Sequence, residues 1–189
     1  MKLFLSLACA LAALAVSASA QVAVGPGAVK IAKVAPEVVK SPEFNLTSGP
    51  VKRSKLGQWL EVEVEYETKP EDIDELTFKF IILVEKKLLE GEVTYVNIPK
   101  ARDHFAVMYV SPRSLEKLTG GRPLTGSSIE NVWVDVSRQG QSLTNNQPAA
   151  FRPGPVPNLP RISGLVLNKD ETPFAPLYYD RYEAIKKSR

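Results

Sequence analysis

The sequence predicts an antiparallel β-sandwich, and three observations carry that prediction. Several segments alternate apolar and polar residues with a period of two, the pattern of half-buried strands. One segment alone carries both start and stop signals of a helix, so the strands have no helical crossovers between them and must pair antiparallel. The 15 prolines and 11 glycines interrupt the chain too often for a helical bundle. At 189 residues, 44% hydrophobic and 24% charged, the chain can bury one core of ordinary size. A collagen, a coiled-coil rod and a wholly disordered chain are excluded.

Residues Met1 to Ala20 read as a secretory signal. Lys2 supplies the positive start, and Leu3 to Val16 is apolar apart from Ser6. Ala18-Ser19-Ala20 is a small-x-small site, so cleavage is expected after Ala20. The apolar run is shorter than the roughly 20 residues a membrane-spanning helix needs. The single cysteine, Cys9, lies inside this run, so the processed chain is expected to hold no disulfide and no thiol nucleophile.

Residues 21–42 contain Gly25-Pro26-Gly27, Pro36 and Pro42 and read as an extended leader, with a short strand near Val29 to Val34. Glu43 to Thr47 is a candidate first edge strand. Trp59 to Glu67 is the clearest strand, with Leu60, Val62, Val64 and Tyr66 alternating against Glu61, Glu63, Glu65 and Glu67. Leu76 to Val84 is richer in Phe, Ile and Val and reads as more central. Gly91 is expected to permit a reversal, after which Glu92 to Ile98 alternates again and Pro99 ends it. His104 to Val110 is a further strand, with Phe105, Val107 and Tyr109 on one face.

The helix is expected over residues 111–120. Ser111 is its N-cap, Pro112 its first residue, Gly120 its stop, and Leu115 and Leu118 face the core. Ile129 to Val136 and Gln147 to Phe151 read as strands about the Gln139-Gly140-Gln141 turn. Residues 152–160 are proline-rich and extended, and Gly164 to Asn168 and Phe174 to Tyr179 are late strand candidates. The number and length of these strands match an immunoglobulin-like Greek key with one short connecting helix. The organisation expected is a signal over 1–20, a leader over 21–42 and one sandwich domain over 43–189 with an aromatic tail.

The residues offer little chemistry. His104 is the only histidine, and no Gly-x-Ser-x-Gly elbow accompanies it. Zinc lacks ligands, the glycines of residues 120–126 lack a phosphate-loop lysine, and no dinucleotide fingerprint occurs, so no cofactor or metal is expected. The row Glu61, Glu63, Glu65, Glu67 spaces carboxylates about 6–7 Å apart on one strand face. That touches the separation of an inverting glycosidase, but a straight row on a strand reads first as a solvated face that would discourage edge pairing. Trp59 and Trp133 lie opposite the valine faces of their strands, where they would stack on sugar rings if exposed and pack as a second buried layer if not.

Net charge is +3, too small to imply nucleic-acid binding. Its distribution is uneven, since residues 59–100 hold eleven acidic and five basic side chains between two basic ends. Such a pattern suits self-assembly or partner docking.

The tail, Lys169 to Glu183, places Phe174, Tyr178, Tyr179 and Tyr182 close together, which a disordered segment seldom does. It is expected to pack back on the sandwich or to contact a partner. With the signal and the strand layout, this tail resembles small exported immunoglobulin-like proteins of verrucomicrobial type, some encoded beside type IV pilus and secretion genes. The resemblance implies an envelope or surface protein tied to pilus assembly. The chain lacks the short basic leader and long apolar helix of a type IV pilin, which argues against the pilus shaft itself.

The function expected is therefore non-enzymatic protein contact or self-association in the periplasm, at the outer membrane or outside the cell. Strand addition is one route, with residues 21–42 as donor. A carbohydrate-binding module using Trp59 or Trp133 is the alternative, and a glycoside hydrolase using the glutamate row ranks last.

Overall fold

The computed structural model describes residues 25, 27–44, 56–144 and 147–187. The expected signal and its cleavage point after Ala20 lie outside the described residues, as does the 45–47 part of the candidate first edge strand. The described chain forms β1 (Val29–Lys40), β2 (Gln58–Thr68), β3 (Ile73–Val84), β4 (Lys87–Ile98), β5 (His104–Val110) and α1 (Pro112–Thr119). It continues with β6 (Ile129–Arg138), β7 (Gln141–Ser142), β8 (Ala149–Ala150), β9 (Arg161–Ile162), β10 (Val166–Asn168) and β11 (Ala184–Ile185).

The strands make two sheets packed face to face as an immunoglobulin-like sandwich. One has the order β1-β2-β5-β10. The other has the order β11-β4-β3-β6-β7, with β8 beside β6 and β9 beside β4.

The alternation in β2 explains the core directly. Leu60, Val62, Val64 and Tyr66 point inward and are fully buried. They meet Leu76, Phe78, Phe80 and Ile82 of β3 and Val132, Val134 and Val136 of β6. Tyr95 of β4 reaches across the sandwich, where its hydroxyl accepts the Val107 N–H at 3.0 Å. The helix forms as its signals require. The Ser111 hydroxyl accepts the Ser114 N–H, Gly120 closes the helix in the left-handed conformation, and Leu115 and Leu118 are buried.

Three expectations are corrected. Of the leader expected over residues 21–42, Val29–Lys40 is part of the domain, because β1 pairs with β2 from Val29 opposite Thr68 to Lys40 opposite Gln58. Val29 and Val34 enter the core, which supplies the apolar burial that a detached leader would lack. The strand proposed as a donor is thus engaged within its own chain, and β2 is central in its sheet, so its glutamates guard no edge.

The reversal placed at Gly91 occurs instead at Glu85-Lys86, both in the left-handed conformation (φ 48° and 59°), a two-residue turn of the primed kind that suits strand twist. Gly91 lies within β4 opposite Phe80. A Cβ there would stand 2.6 Å from Val166 Cβ and 3.0 Å from Met108 Cε, so glycine is needed for the close approach of the two sheets. Last, Phe174 to Tyr179 is a series of turns rather than a strand, since Pro173 and Pro176 remove ladder donors and Tyr178 adopts φ 52°.

Gly91→Ala is expected to destabilise the fold by about 1–3 kcal/mol through overpacking. Urea denaturation checks this, and a lower midpoint with unchanged slope is the expected outcome.

Candidate functional site

Both outer faces of the sandwich carry apolar side chains, and late segments of the chain cover them. On the β6 side, Trp133 is buried against Ile81, Leu88 and Val156, and its indole N–H donates to the Gly154 carbonyl at 2.8 Å. On the β2 side, Trp59, Val107 and Tyr109 form a second apolar layer closed by Phe174 of the tail. The Phe174 ring stacks on Tyr109 at 4.6 Å, while Trp59 meets both rings edge-on. The Trp59 indole N–H donates to the Ser41 hydroxyl at 3.0 Å. Trp59 and Trp133 are 7% and 3% exposed, so neither offers a face to a sugar. The glycan-stacking role is corrected accordingly. These rings are cores of the two covered layers.

The tail is fixed by charge as well as by rings. Arg181 forks onto Glu63, with Nε and Nη2 donating to the two carboxylate oxygens at 2.9 and 2.8 Å. The Tyr182 hydroxyl donates to the same carboxylate at 2.7 Å. The Arg181 guanidinium lies 3.5 Å above the Phe105 ring. The neighbouring Glu183 carboxylate reaches Nδ1 of His104 at 3.2 Å, and His104 Nε2 faces the Pro99 carbonyl at 2.8 Å. His104 is thus a buried structural anchor for the tail. Beyond it, Ala184 and Ile185 pair with Val96 and Tyr95 of β4, so the tail spans from one sheet to the other.

These contacts shape a groove of about 510 Å³ between the end of β1, the outer face of β2 and the tail. Val39, Glu61, Glu63, Leu177, Tyr178 and Arg181 line it. Its two carboxyls behave oppositely. Burial raises the Glu61 carboxyl, and the charges of Glu63 and Glu37 add to that rise against the hydrogen bond from Tyr109. Burial also pushes Glu63 upward, but the hydrogen bonds from Arg181 and Tyr182 and the Arg181 charge outweigh it, so Glu63 titrates below the usual carboxylate range.

The aromatic tail divides into two functional halves. Phe174 is buried and Tyr182 half-buried, whereas Tyr178, which lines the groove, and its neighbour Tyr179 are 62% and 84% exposed. Of the glutamate row, Glu67 pairs with Lys30 and Lys69, and Glu63 with Arg181. The row is therefore partly neutralised and covered, not an open solvated face. Glu63 and Arg181 are 118 residues apart in sequence, so no local pattern announces their pairing. An Arg-Tyr pair beside aromatic residues in the tail was the signal present.

A protein-family model matches residues 20–189. The chain belongs to that family. Its structure is similar to a crystal structure of a protein from Akkermansia muciniphila, a verrucomicrobium, with a TM-score of 0.70 and 27% identity over 85% of this chain and 94% of that one. No curated protein matches the sequence. Among the described residues, no helix is long and apolar enough to cross a membrane.

The opposite directions of the two carboxyls set the pH response. Above its ordinary range, ionised Glu63 stabilises the folded state, and that contribution is lost as pH falls through its lowered folded value. Glu61, raised in the fold, costs stability when ionised and regains it on protonation at higher pH. Thermal denaturation on acidification should therefore show a small gain before a loss. Glu61→Gln removes the gain, and Glu63→Gln removes the loss. Glu61→Gln should also stabilise the protein at neutral pH by about 0.2–1 kcal/mol, the range of a cross-strand like-charge pair. Glu63→Gln should cost about 1–2 kcal/mol through the weakened charge-assisted bonds.

Proposed function

We propose that this protein is exported and acts without catalysis, by protein contact in the cell envelope or at the cell surface, in connection with type IV pilus assembly. One observation carries the contact reading. Tyr178 and Tyr179 stand exposed on a turn whose two flanks, Phe174 and Arg181-Tyr182, are anchored to the sheet. Tyrosine supplies large amphipathic area at low entropic cost, and a fixed turn presents it without further ordering. Tyr178 also holds a left-handed backbone, uncommon for a bulky residue, and strain of this kind concentrates at functional surfaces.

Export is supported by the apolar run and small-residue site of residues 1–20, and by a family match that begins beside it, at residue 20. The pilus connection rests on the resemblance of the tail and layout to exported verrucomicrobial proteins.

A photo-cross-linking residue at Tyr179, expressed in the native cells, tests this reading. The expected result is a discrete cross-link to an envelope protein of the pilus or secretion machinery, absent when the probe sits at exposed Ser127 on another part of the surface. Equal labelling from both positions, or none from Tyr179, contradicts it.

A further inference from the structure

We propose that the groove beside Glu61 receives an arginine side chain from the protein partner. The inference deepens the contact reading above and names the chemistry of its partner. It starts from a comparison within one strand face. Glu61 and Glu63 lie two residues apart on the outer face of β2. At Glu63 the site is filled, with a guanidinium forked onto the carboxylate, an aromatic ring beneath it and a tyrosine hydroxyl on the same oxygen.

Glu61 has aromatic neighbours of the same kind but no paired cation among the described residues. It stands in register with Tyr109, the residue directly opposite on β5. Phe174, Tyr178 and Tyr182 supply aromatic walls to the groove. Among the described residues, no lysine or arginine forms an ion pair with Glu61. Arg181 is committed to Glu63, and the residue opposite Glu61 on β1 is another carboxylate, Glu37. Lys40 also lines the groove, so three carboxylates, Glu37, Glu61 and Glu63, stand here against two cations among the described residues, Lys40 and Arg181.

The shape of the site selects among cations. Arginine has a planar fork that matches a carboxylate and a flat face that stacks on rings, whereas lysine offers a point charge. Val39 and Leu177 line the groove and can pack the apolar stem of an entering side chain. The volume, about 510 Å³, accommodates a guanidinium with its stem. A segment entering here would pass over Tyr178, which connects the pocket to the exposed tyrosines.

The test is a titration of the isotope-labelled protein with the capped peptide acetyl-Gly-Arg-Gly-amide, followed by amide chemical shifts. Its counterpart with citrulline, which keeps the shape and lacks the charge, is the control. The arginine peptide should give saturable shifts at Val39, Glu61, Leu177 and Tyr178, with binding at least about tenfold tighter than the citrulline peptide, as expected of a charge-assisted forked pair. Glu61→Gln should remove about that tenfold advantage while shifts elsewhere stay in place. Tyr178→Gly, which keeps the left-handed backbone and deletes the ring, should weaken binding independently. Equal binding of both peptides, unchanged affinity in Glu61→Gln, or no saturable shift in the groove overturns the proposal. A cellular cross-link at Tyr179 without arginine binding leaves the contact reading standing and removes the arginine pocket. Arginine binding without any cellular cross-link does the reverse.

Discussion

The aromatic stack of Phe174 on Tyr109, with Trp59 edge-on to both, is the contact on which this architecture turns. A sandwich needs apolar side chains on the inner faces of its sheets. Here β2 and β5 are apolar on part of their outer faces as well, at Trp59, Val107 and Tyr109. Exposed, those rings would form a sticky patch of the kind soluble proteins avoid. Residues 169–187 cover it, and the same solution recurs on the other sheet, where the proline-rich segment covers Trp133. The fold is thus four layers deep, and its last two layers come from chain that has little regular structure of its own.

Covering the β2 face imposes an electrostatic condition. Every second residue of β2 from Glu61 to Glu67 is a glutamate on that face, and each one brought under the tail loses water. Glu63 meets the condition with Arg181 and Tyr182 from the covering segment itself. Glu61 does not, and its carboxyl titrates high as a result. The anchored and the unsatisfied carboxylate sit side by side, so the contacts that hold the tail also build the groove. Structure and candidate function share the same few side chains.

Much of the sandwich was legible in the sequence, because a period of two reports which residues face inward. Leu60, Val62, Val64 and Tyr66 alternate cleanly and are all fully buried. The caps of α1 were equally local and equally legible. What was not legible depends on distant partners. The fates of Trp59 and Trp133 hinge on segments that arrive late in the chain, and the alternation alone leaves them either exposed or buried. The turn at Glu85-Lys86 carries neither glycine nor asparagine, so the strand pairing on both sides imposes it where turn chemistry would not. Gly91 misleads for the converse reason, since its lack of a side chain serves packing between sheets and not a change of direction.

The most direct measurement is amide hydrogen exchange of the tail. If residues 169–187 are an integral layer, their hydrogen-bonded amides, such as that of Lys186 to the Thr94 carbonyl, exchange slowly and together with those of β5. Exchange of the whole tail at unprotected rates, with β2 and β5 still protected, would contradict the account, because neither the covered aromatic layer nor the groove could then exist as described.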